Sequence, residues 1–255
     1  MKAVIEELLE SWTTEQRTVE LRQRERRADA TRFVAIHSLA AHVHRLGGAA
    51  LILVGADRTL ESMPIVRCAY ESALTAMWLA QNEAGGGAFV SEFSRQQRAT
   101  ERSLAKSNNP KFASAVNLPY VDAPDIASNS AAQARAFEQM CGDFDGGVDL
   151  YIYYRLMSAY SHAGLRVVEE YIRPTEDGAD VASLLKTPRF ESGGMWLFFL
   201  AASLIWGGTA FDYIDVARRR RSDLRRAART IGIVRDLQLT NAAQARSSRG
   251  APRAT

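Results

Sequence analysis

The feature that most limits the fold is a run without any charged residue, from residue 193 to residue 211. A helix of these 19 residues is apolar on every side, so lipid or other helices must cover it on every side. The run also contains four glycines, Ser203 and Thr209, and it stands alone in the chain. We therefore expect the central helix of a bundle, with a membrane helix as the alternative.

The rest of the chain is dominated by helical patterns. Residues 3–30 are rich in good helix formers and contain no Gly or Pro, and residues 31–46 continue the pattern up to a predicted stop at Gly47 and Gly48. Further helices are predicted at about 62–82, 88–107, 130–141, 148–163 and 166–172, with a loop at 108–128, a short hairpin within 174–192 and a last helix from 194 to 239. The predicted fold is all-α, an antiparallel helical bundle with a long basic C-terminal helix and a disordered tail.

These elements suggest three parts of the chain. Residues 1–46 form a charged N-terminal helical arm, residues 47–239 form the helical bundle, and residues 240–255 form a disordered basic tail. At 255 residues the chain is long enough to bury one large core. We therefore expect a single globular domain with an arm and a tail.

Charge is distributed unevenly along the chain. Residues 216–255 contain eleven arginines and two aspartates, a net charge of +9, so the first 215 residues carry −6 of the overall +3. A basic segment on an acidic body predicts contact with an anion such as RNA. The arginines expected to bind nucleic acid are Arg218, Arg219, Arg220, Arg221, Arg225 and Arg226. A solvated helical face is the alternative.

Cysteine and histidine usage indicates no metal or disulfide framework. Two cysteines in a chain of this length form no disulfide scaffold, and no Cys-x-x-Cys spacing suggests zinc. His37 and His44 lie seven residues apart without carboxylates beside them, so no metal and no cofactor is expected. The N-terminal residues include acidic side chains where a signal peptide needs an apolar run, and we expect a cytoplasmic protein.

The clearest candidate for chemistry is the segment from Tyr153 to Gly164. If this segment is helical, Arg155 and His162 are seven residues apart and share one face, with Ser158 between them. Arginine can hold a phosphate through two hydrogen bonds, and histidine can transfer a proton near neutral pH. The spacing therefore predicts phosphoryl chemistry at Arg155 and His162.

Arg155 and His162, separated by six residues late in a helical bundle, resemble the signature of the HEPN superfamily. The wider pattern is similar to an uncharacterised bacterial helical family in or near that group, with an upstream Arg67-x-x-x-Glu71 and a later Tyr154-Arg155-x-x-Ser158-x-x-x-His162. The resemblance extends over about residues 45–215. It implies a metal-independent endoribonuclease or RNA-binding effector of a bacterial defence or toxin system.

The same resemblance implies roles for these residues. His162 would move a proton at a 2′-hydroxyl and Arg155 would stabilise charge on the phosphate, with Ser158, Tyr154, Glu71 and Arg67 in support. It also implies a homodimer, and an antitoxin or another protein is an expected partner.

Two other interpretations stay open. Arg67, Glu71, Arg155 and His162 would form a buried structural network if the protein were a non-enzymatic interaction module, because buried charges must be paired. The charged helix at residues 15–32 would then be its contact surface or its dimerisation arm. In the third interpretation residues 193–211 attach the protein to a membrane, which we do not expect.

Overall fold

The computed structural model describes residues 1–14, 27–113, 128–174, 183–190, 194–215 and 217–249. Within these residues the fold is all-α apart from one small antiparallel sheet, as predicted from the sequence. The elements are α1 (Lys2–Thr14), α2 (Arg27–Gly55), α3 (Thr59–Gln81), α4 (Gly85–Ala105), α5 (Pro110–Ala113), α6 (Ala131–Arg135), α7 (Phe137–Cys141), α8 (Gly147–Ala159), α9 (Leu165–Glu170), β1 (Ile172–Arg173), β2 (Ser183–Leu184), α10 (Met195–Ile214), α11 (Arg221–Ile231) and α12 (Asn241–Arg249).

Helix α10 lies at the centre of the bundle, where the uncharged run predicts it. It packs against α2 and α3 and also contacts α1 and α11. By length and composition, Ala30–Gly55 and Met195–Ile214 are apolar enough to cross a membrane, but 72% of the second segment's most apolar stretch is buried inside the protein. Other helices therefore cover α10, as expected for the central helix of a bundle.

Helix α2 continues through Gly47 and Gly48, so the predicted stop at this pair is wrong. A Cβ atom at Gly47 would lie 3.2 Å from Cδ2 of Leu204, and a Cβ at Gly207 would lie 3.3 Å from Cγ1 of Val43. The glycines thus let α2 and α10 approach closely, and this packing outweighs the weak helix propensity of glycine.

The predicted boundary between an N-terminal arm and the bundle falls inside α2. Ile5 and Leu8 of α1 are buried in the same core as α10, so α1 packs into the domain. Residues 15–26, between α1 and α2, lie outside the described residues. The described part of the N-terminal segment belongs to the bundle.

The predicted long C-terminal helix is two helices. Helix α10 ends before Asp215, whose backbone is extended, and Arg218 has a left-handed φ of 45° before α11 begins. Residues 241–249 of the predicted disordered tail form α12, in which Ala243 and Ser247 are buried. The Ser247 hydroxyl accepts a 2.8 Å hydrogen bond from the backbone N–H of Glu83, which helps to hold α12 on the bundle.

Among the smaller helices, α7 packs on α3 and α6 packs on α4. Two short helices, α6 and α7, replace the single one predicted at residues 130–141. A hairpin is present, with Ile172 opposite Leu184 and Arg173 opposite Ser183, but its first strand lies before the predicted range of 174–192. Most of the predicted loop at 108–128 lies outside the described residues, although its beginning contains α5.

Candidate functional site

Four of the predicted site residues meet between α3 and α8. The Arg67 Nε donates a hydrogen bond of 2.9 Å to Ser158 Oγ, and a terminal nitrogen of Arg67 donates to the Tyr154 hydroxyl. The guanidinium carbon lies 4.6 Å from the centre of the Tyr154 ring. The fourth residue, Glu71, has an oxygen 3.4 Å from the same terminal nitrogen. Arg67 therefore joins α3 to α8 through two hydrogen bonds and a cation–π contact, and it pairs with Glu71 on its own helix.

Helical spacing explains why this cluster forms. Arg67 and Glu71 are four residues apart on α3, and Tyr154 and Ser158 are four residues apart on α8, so each pair shares a helix face. The Ser158 hydroxyl donates to the Tyr154 carbonyl at 2.8 Å, which leaves its oxygen to accept from Arg67. The mostly buried guanidinium thus has the partners that a buried charge requires.

Glu71 is partly buried. Burial raises the pKa of its carboxyl group, and the nearby positive charge of Arg67 opposes that rise. The carboxyl group borders a cleft of about 390 Å³ with an aromatic lining, whose residues include Phe89, Phe93, Phe137 and Tyr154. Arg155 and His162 do not line this cleft.

Arg155 and His162 lie on the surface. Both side chains are exposed, and neither makes a hydrogen bond or ion pair with any residue that the structure describes. The predicted four-residue network therefore contains Arg67 and Glu71 but not Arg155 and His162. Helix α8 ends at Ala159, so the predicted common helix face does not extend to His162.

Helix α8 exposes three large apolar side chains near Arg155. Val148, Ile152 and Leu156 are 74%, 48% and 45% exposed. They follow one another at intervals of four residues on α8, and Arg155, seven residues after Val148, lies in the same row. We call Val148, Ile152, Arg155 and Leu156 the α8 stripe. It exposes large apolar side chains together with one unpaired charge.

Arg220 cannot serve as a surface contact for nucleic acid, contrary to the prediction. It is buried, and its guanidinium donates to the Leu8 carbonyl at 3.0 Å and to the Ser11 hydroxyl at 3.2 Å. It also lies 5.0 Å from the Trp12 ring, which stacks on His44 at 4.1 Å. Arg220 thus attaches the start of α11 to α1 and α2.

The other predicted nucleic-acid residues are exposed. Arg226 forms ion pairs with Glu7 and Asp223, which partly neutralise its charge. Arg218, Arg219, Arg221 and Arg225 are exposed at the start of α11 or on it. The predicted basic surface therefore keeps four cations without an ion pair to any described residue.

A second cleft, of about 450 Å³, lies on α11 and the segment after it. Its lining residues are Ser222, Arg225, Ala228, Arg229, Ile233, Arg235 and Asp236. Arg229 and Arg235 are not among the site residues predicted from the sequence. The spacing of Ser222, Arg225 and Arg229, at intervals of three and four residues, could have revealed their common face.

The described residues contain no group of three or more His, Cys, Asp or Glu side chains that could hold a metal ion. His44 is buried and engaged with the Ala40 carbonyl and Arg220. Asp143 accepts hydrogen bonds from Trp78 and Arg246. These side chains have protein partners that account for their positions.

The chain is similar to a known protein family. The model of a protein family described as a family of unknown function (DUF5677) matches residues 33–180. The matched region runs from α2 to the segment after β1. It includes the α8 stripe and the cluster of Arg67, Glu71, Tyr154 and Ser158. No curated protein and no solved structure gives a significant match to the chain.

Proposed function

Since the chain belongs to the DUF5677 family, whose function is unknown, we propose its function from its own residues: it is an RNA-binding effector of the HEPN type that cleaves RNA without a metal. Arg155 and His162 act on the RNA phosphate. Arg67, Glu71, Tyr154 and Ser158 hold α8 in place and so position Arg155.

The observation that carries this proposal is the exposure of Arg155 and His162. The mostly buried Arg67 has three side-chain partners, whereas these two residues have none among the described residues. A structural role for a charge normally comes with partners. An exposed guanidinium and an exposed imidazole on neighbouring parts of the chain are instead available to a ligand.

The chemistry follows from these two groups. His162 accepts the proton of a ribose 2′-hydroxyl, and the oxygen attacks the adjacent phosphorus. Arg155 stabilises the negative charge that develops on the phosphoryl oxygens. The bond to the 5′-oxygen breaks, that oxygen takes up a proton from water, and a 2′,3′-cyclic phosphate remains; His162 returns the proton that it accepted to solvent. No metal ion is needed for this reaction.

We propose that two copies of the protein pair through the α8 stripe. Three exposed apolar side chains in one row are typical of a surface that another protein covers. Arg155 lies in that row, so pairing would bring the arginines of two copies to one place. Substituting Ile152→Glu with Leu156→Glu should yield a monomer in sedimentation experiments.

The decisive experiment is RNA cleavage by purified His162→Ala and Arg155→Ala proteins. Each should lower the cleavage rate by about 10²–10⁴-fold, because a general acid–base group contributes about that much. Both side chains are exposed, so the melting temperature should not change. Matched controls are His42→Ala and Arg45→Ala, which remove an exposed histidine and an exposed arginine from α2.

Two results would contradict the proposal. One is the absence of RNA cleavage by the wild-type protein, whether the protein is dimeric or monomeric. The other is full cleavage by the Arg155→Ala and His162→Ala variants. The double variant should be hardly slower than either single variant, because the two residues act on one phosphate.

The second candidate function is a non-enzymatic interaction module, which the apolar α8 stripe also favours. In that case a different protein, such as an antitoxin, covers Val148, Ile152 and Leu156. The Ile152→Glu and Leu156→Glu substitutions would then abolish binding of that partner. The wild-type, Arg155→Ala and His162→Ala proteins would all fail to cleave RNA. Localisation in the cytoplasm is part of both proposals.

A further inference from the structure

The cleft on α11 gathers positive charge at a concave surface. Ser222, Arg225 and Arg229 are spaced at intervals of three and four residues, so their side chains leave the same face of α11. Both arginines are exposed, and neither forms an ion pair or hydrogen bond with a residue that the structure describes. Like charges four residues apart disfavour a helix by roughly 0.2–0.5 kcal/mol. No ion pair with a described residue offsets this repulsion between Arg225 and Arg229.

Asp236, the one carboxylate among the described residues that line the cleft, already has hydrogen-bond partners. Asp236 accepts hydrogen bonds of 2.9 Å from Nε and 2.6 Å from a terminal nitrogen of Arg235. It also accepts from the Tyr213 hydroxyl at 3.1 Å. The remaining terminal nitrogen of Arg235 lies 3.7 Å from Asp212.

The balance of charge in the cleft is therefore positive. Three arginines and one aspartate leave the lining with two net positive charges, which belong to Arg225 and Arg229. The Arg235 side chain is 8% exposed and is held in place by Asp212 and Asp236. Its guanidinium is therefore already engaged and is not free to bind a ligand. An anion that enters the cleft would face two unengaged guanidinium groups.

We propose that the α11 cleft binds a phosphomonoester. Arg225 and Arg229 hold the phosphate, and the Ser222 hydroxyl donates a hydrogen bond to it. A monoester is close to a dianion at neutral pH and matches two arginines, whereas a phosphodiester of an RNA backbone carries a single charge. The apolar surfaces of Ala228 and Ile233 lie against the organic part of the ligand.

The size of the cleft agrees with this ligand class. A volume of about 450 Å³ lies in the usual range for small-molecule sites, and a mononucleotide fits it. Such a group has two sources, a free mononucleotide or the 5′-phosphate end of an RNA. The site is on α11 and does not depend on RNA cleavage at Arg155 and His162.

The test is calorimetric binding of adenosine monophosphate, inorganic phosphate and adenosine to the full chain. Adenosine monophosphate should bind saturably, inorganic phosphate more weakly, and adenosine not detectably. The double variant Arg225→Gln with Arg229→Gln should bind adenosine monophosphate at least about tenfold more weakly, because two charge-assisted hydrogen bonds are lost. Its ligand-free melting temperature should equal or exceed that of the wild type, since the repulsion on α11 is removed.

The matched control is Arg45→Gln with Arg58→Gln, which removes two exposed arginines outside the cleft. It should bind adenosine monophosphate as the wild type does. An equal loss in this control would overturn the proposal, because the attraction would then be a property of net charge alone. No saturable binding of adenosine monophosphate up to about 10 mM would overturn it as well.

Short RNAs with and without a 5′-phosphate distinguish the two sources. A preference for the phosphorylated RNA that disappears in the Arg225→Gln, Arg229→Gln variant assigns the cleft to RNA ends. Equal binding of both RNAs, beside saturable binding of adenosine monophosphate, assigns it to a free mononucleotide. Either result is independent of whether the protein cleaves RNA.

Discussion

At the scale of single residues, burial separates two arginines of the predicted site. Arg67 is mostly enclosed between α3 and α8, with two hydrogen-bond partners on α8 and an ion-pair partner on α3, whereas Arg155 extends into solvent. Removal of a buried charge leaves its partners without a donor, but removal of an exposed charge leaves only water to rearrange. The first residue should therefore govern stability, and the second should be free to serve a ligand.

We expect Arg67→Met to lower the free energy of unfolding by about 1–3 kcal/mol, because the Tyr154 and Ser158 hydroxyls lose their donor and the Glu71 carboxylate loses its ion-pair partner. Arg155→Met, which makes the same change at an exposed position, should alter it by less than about 0.5 kcal/mol. Urea unfolding of the purified proteins measures both. A double-mutant cycle with Ser158→Ala should give a coupling of about 1 kcal/mol with Arg67, and additive effects would disprove the bond.

The tautomer of His44 follows from its two neighbours. Its Nδ1 lies 2.7 Å from the Ala40 carbonyl and must donate, so its Nε2 accepts from Arg220 at 3.3 Å. Burial, and next the positive charge of Arg220, lower the pKa of His44 to about 3, although the bond to Ala40 opposes that change. The folded protein therefore keeps this imidazole neutral.

The pH dependence of stability should reveal this neutral histidine. In the unfolded chain His44 binds a proton below its ordinary pKa of 6.5, while in the folded protein it does not until about pH 3. Stability is thus complete above pH 6.5 and falls as the pH drops toward 3, by up to about 1.4 kcal/mol per pH unit. Urea unfolding at pH 7, 6 and 5 should show this slope, and His44→Gln should make it shallower. An unchanged slope would mean that His44 is protonated in the fold.

Part of the site could be predicted from the sequence, because the spacing of residues along a helix is enough to tell which side chains share a face. Arg67 with Glu71, and Tyr154 with Ser158, share faces through their separation of four residues alone. The end of α8 could not be predicted from local spacing, since Tyr160, the residue after the helix, packs against Phe190 and Trp196 from a distant segment. Nor do four consecutive arginines show which of them points inward.

At the scale of elements, two adjacent glycines in α2 have opposite surroundings. A Cβ at Gly47 would lie 3.2 Å from Leu204 and 3.3 Å from Leu9, whereas a Cβ at Gly48 would meet nothing within 4 Å. The sequence Gly47-Gly48 predicts a helix end because glycine is a common helix terminator. The packing of α2 on α10 explains why the helix continues.

We expect Gly48→Ala to stabilise the protein by about 0.5–1 kcal/mol, since alanine favours the helix and its methyl group meets no other atom. Gly47→Ala brings the same helical preference but crowds Leu204 and Leu9, so its free energy of unfolding should fall below that of Gly48→Ala by about 1 kcal/mol or more. Urea unfolding of the two variants makes the comparison. Equal stabilisation by both would show that α2 and α10 are not in close contact at Gly47.

At the scale of the whole molecule, one core joins the two ends of the described chain. Ile5 of α1, Leu204 of α10 and Leu224 of α11 belong to the same buried cluster, and Arg220 bonds to Leu8. The sequence predicted the central helix correctly because an uncharged run needs cover on every side. It did not predict that α1 and α12 belong to the folded domain, because short polar helices of this kind acquire their positions from contacts far along the chain.

The central position of α10 has a consequence for amide hydrogen exchange. Its backbone N–H groups lie beneath α2 and α3, so deuterium should reach them only when the whole domain opens. Peptides from α10 should therefore exchange with the free energy of global unfolding, and peptides from the exposed α9 and β1 should exchange much faster. Rapid labelling of α10 would show that the bundle opens at its centre. If α10 is the last part to open, motions that accompany ligand binding are confined to the outer helices.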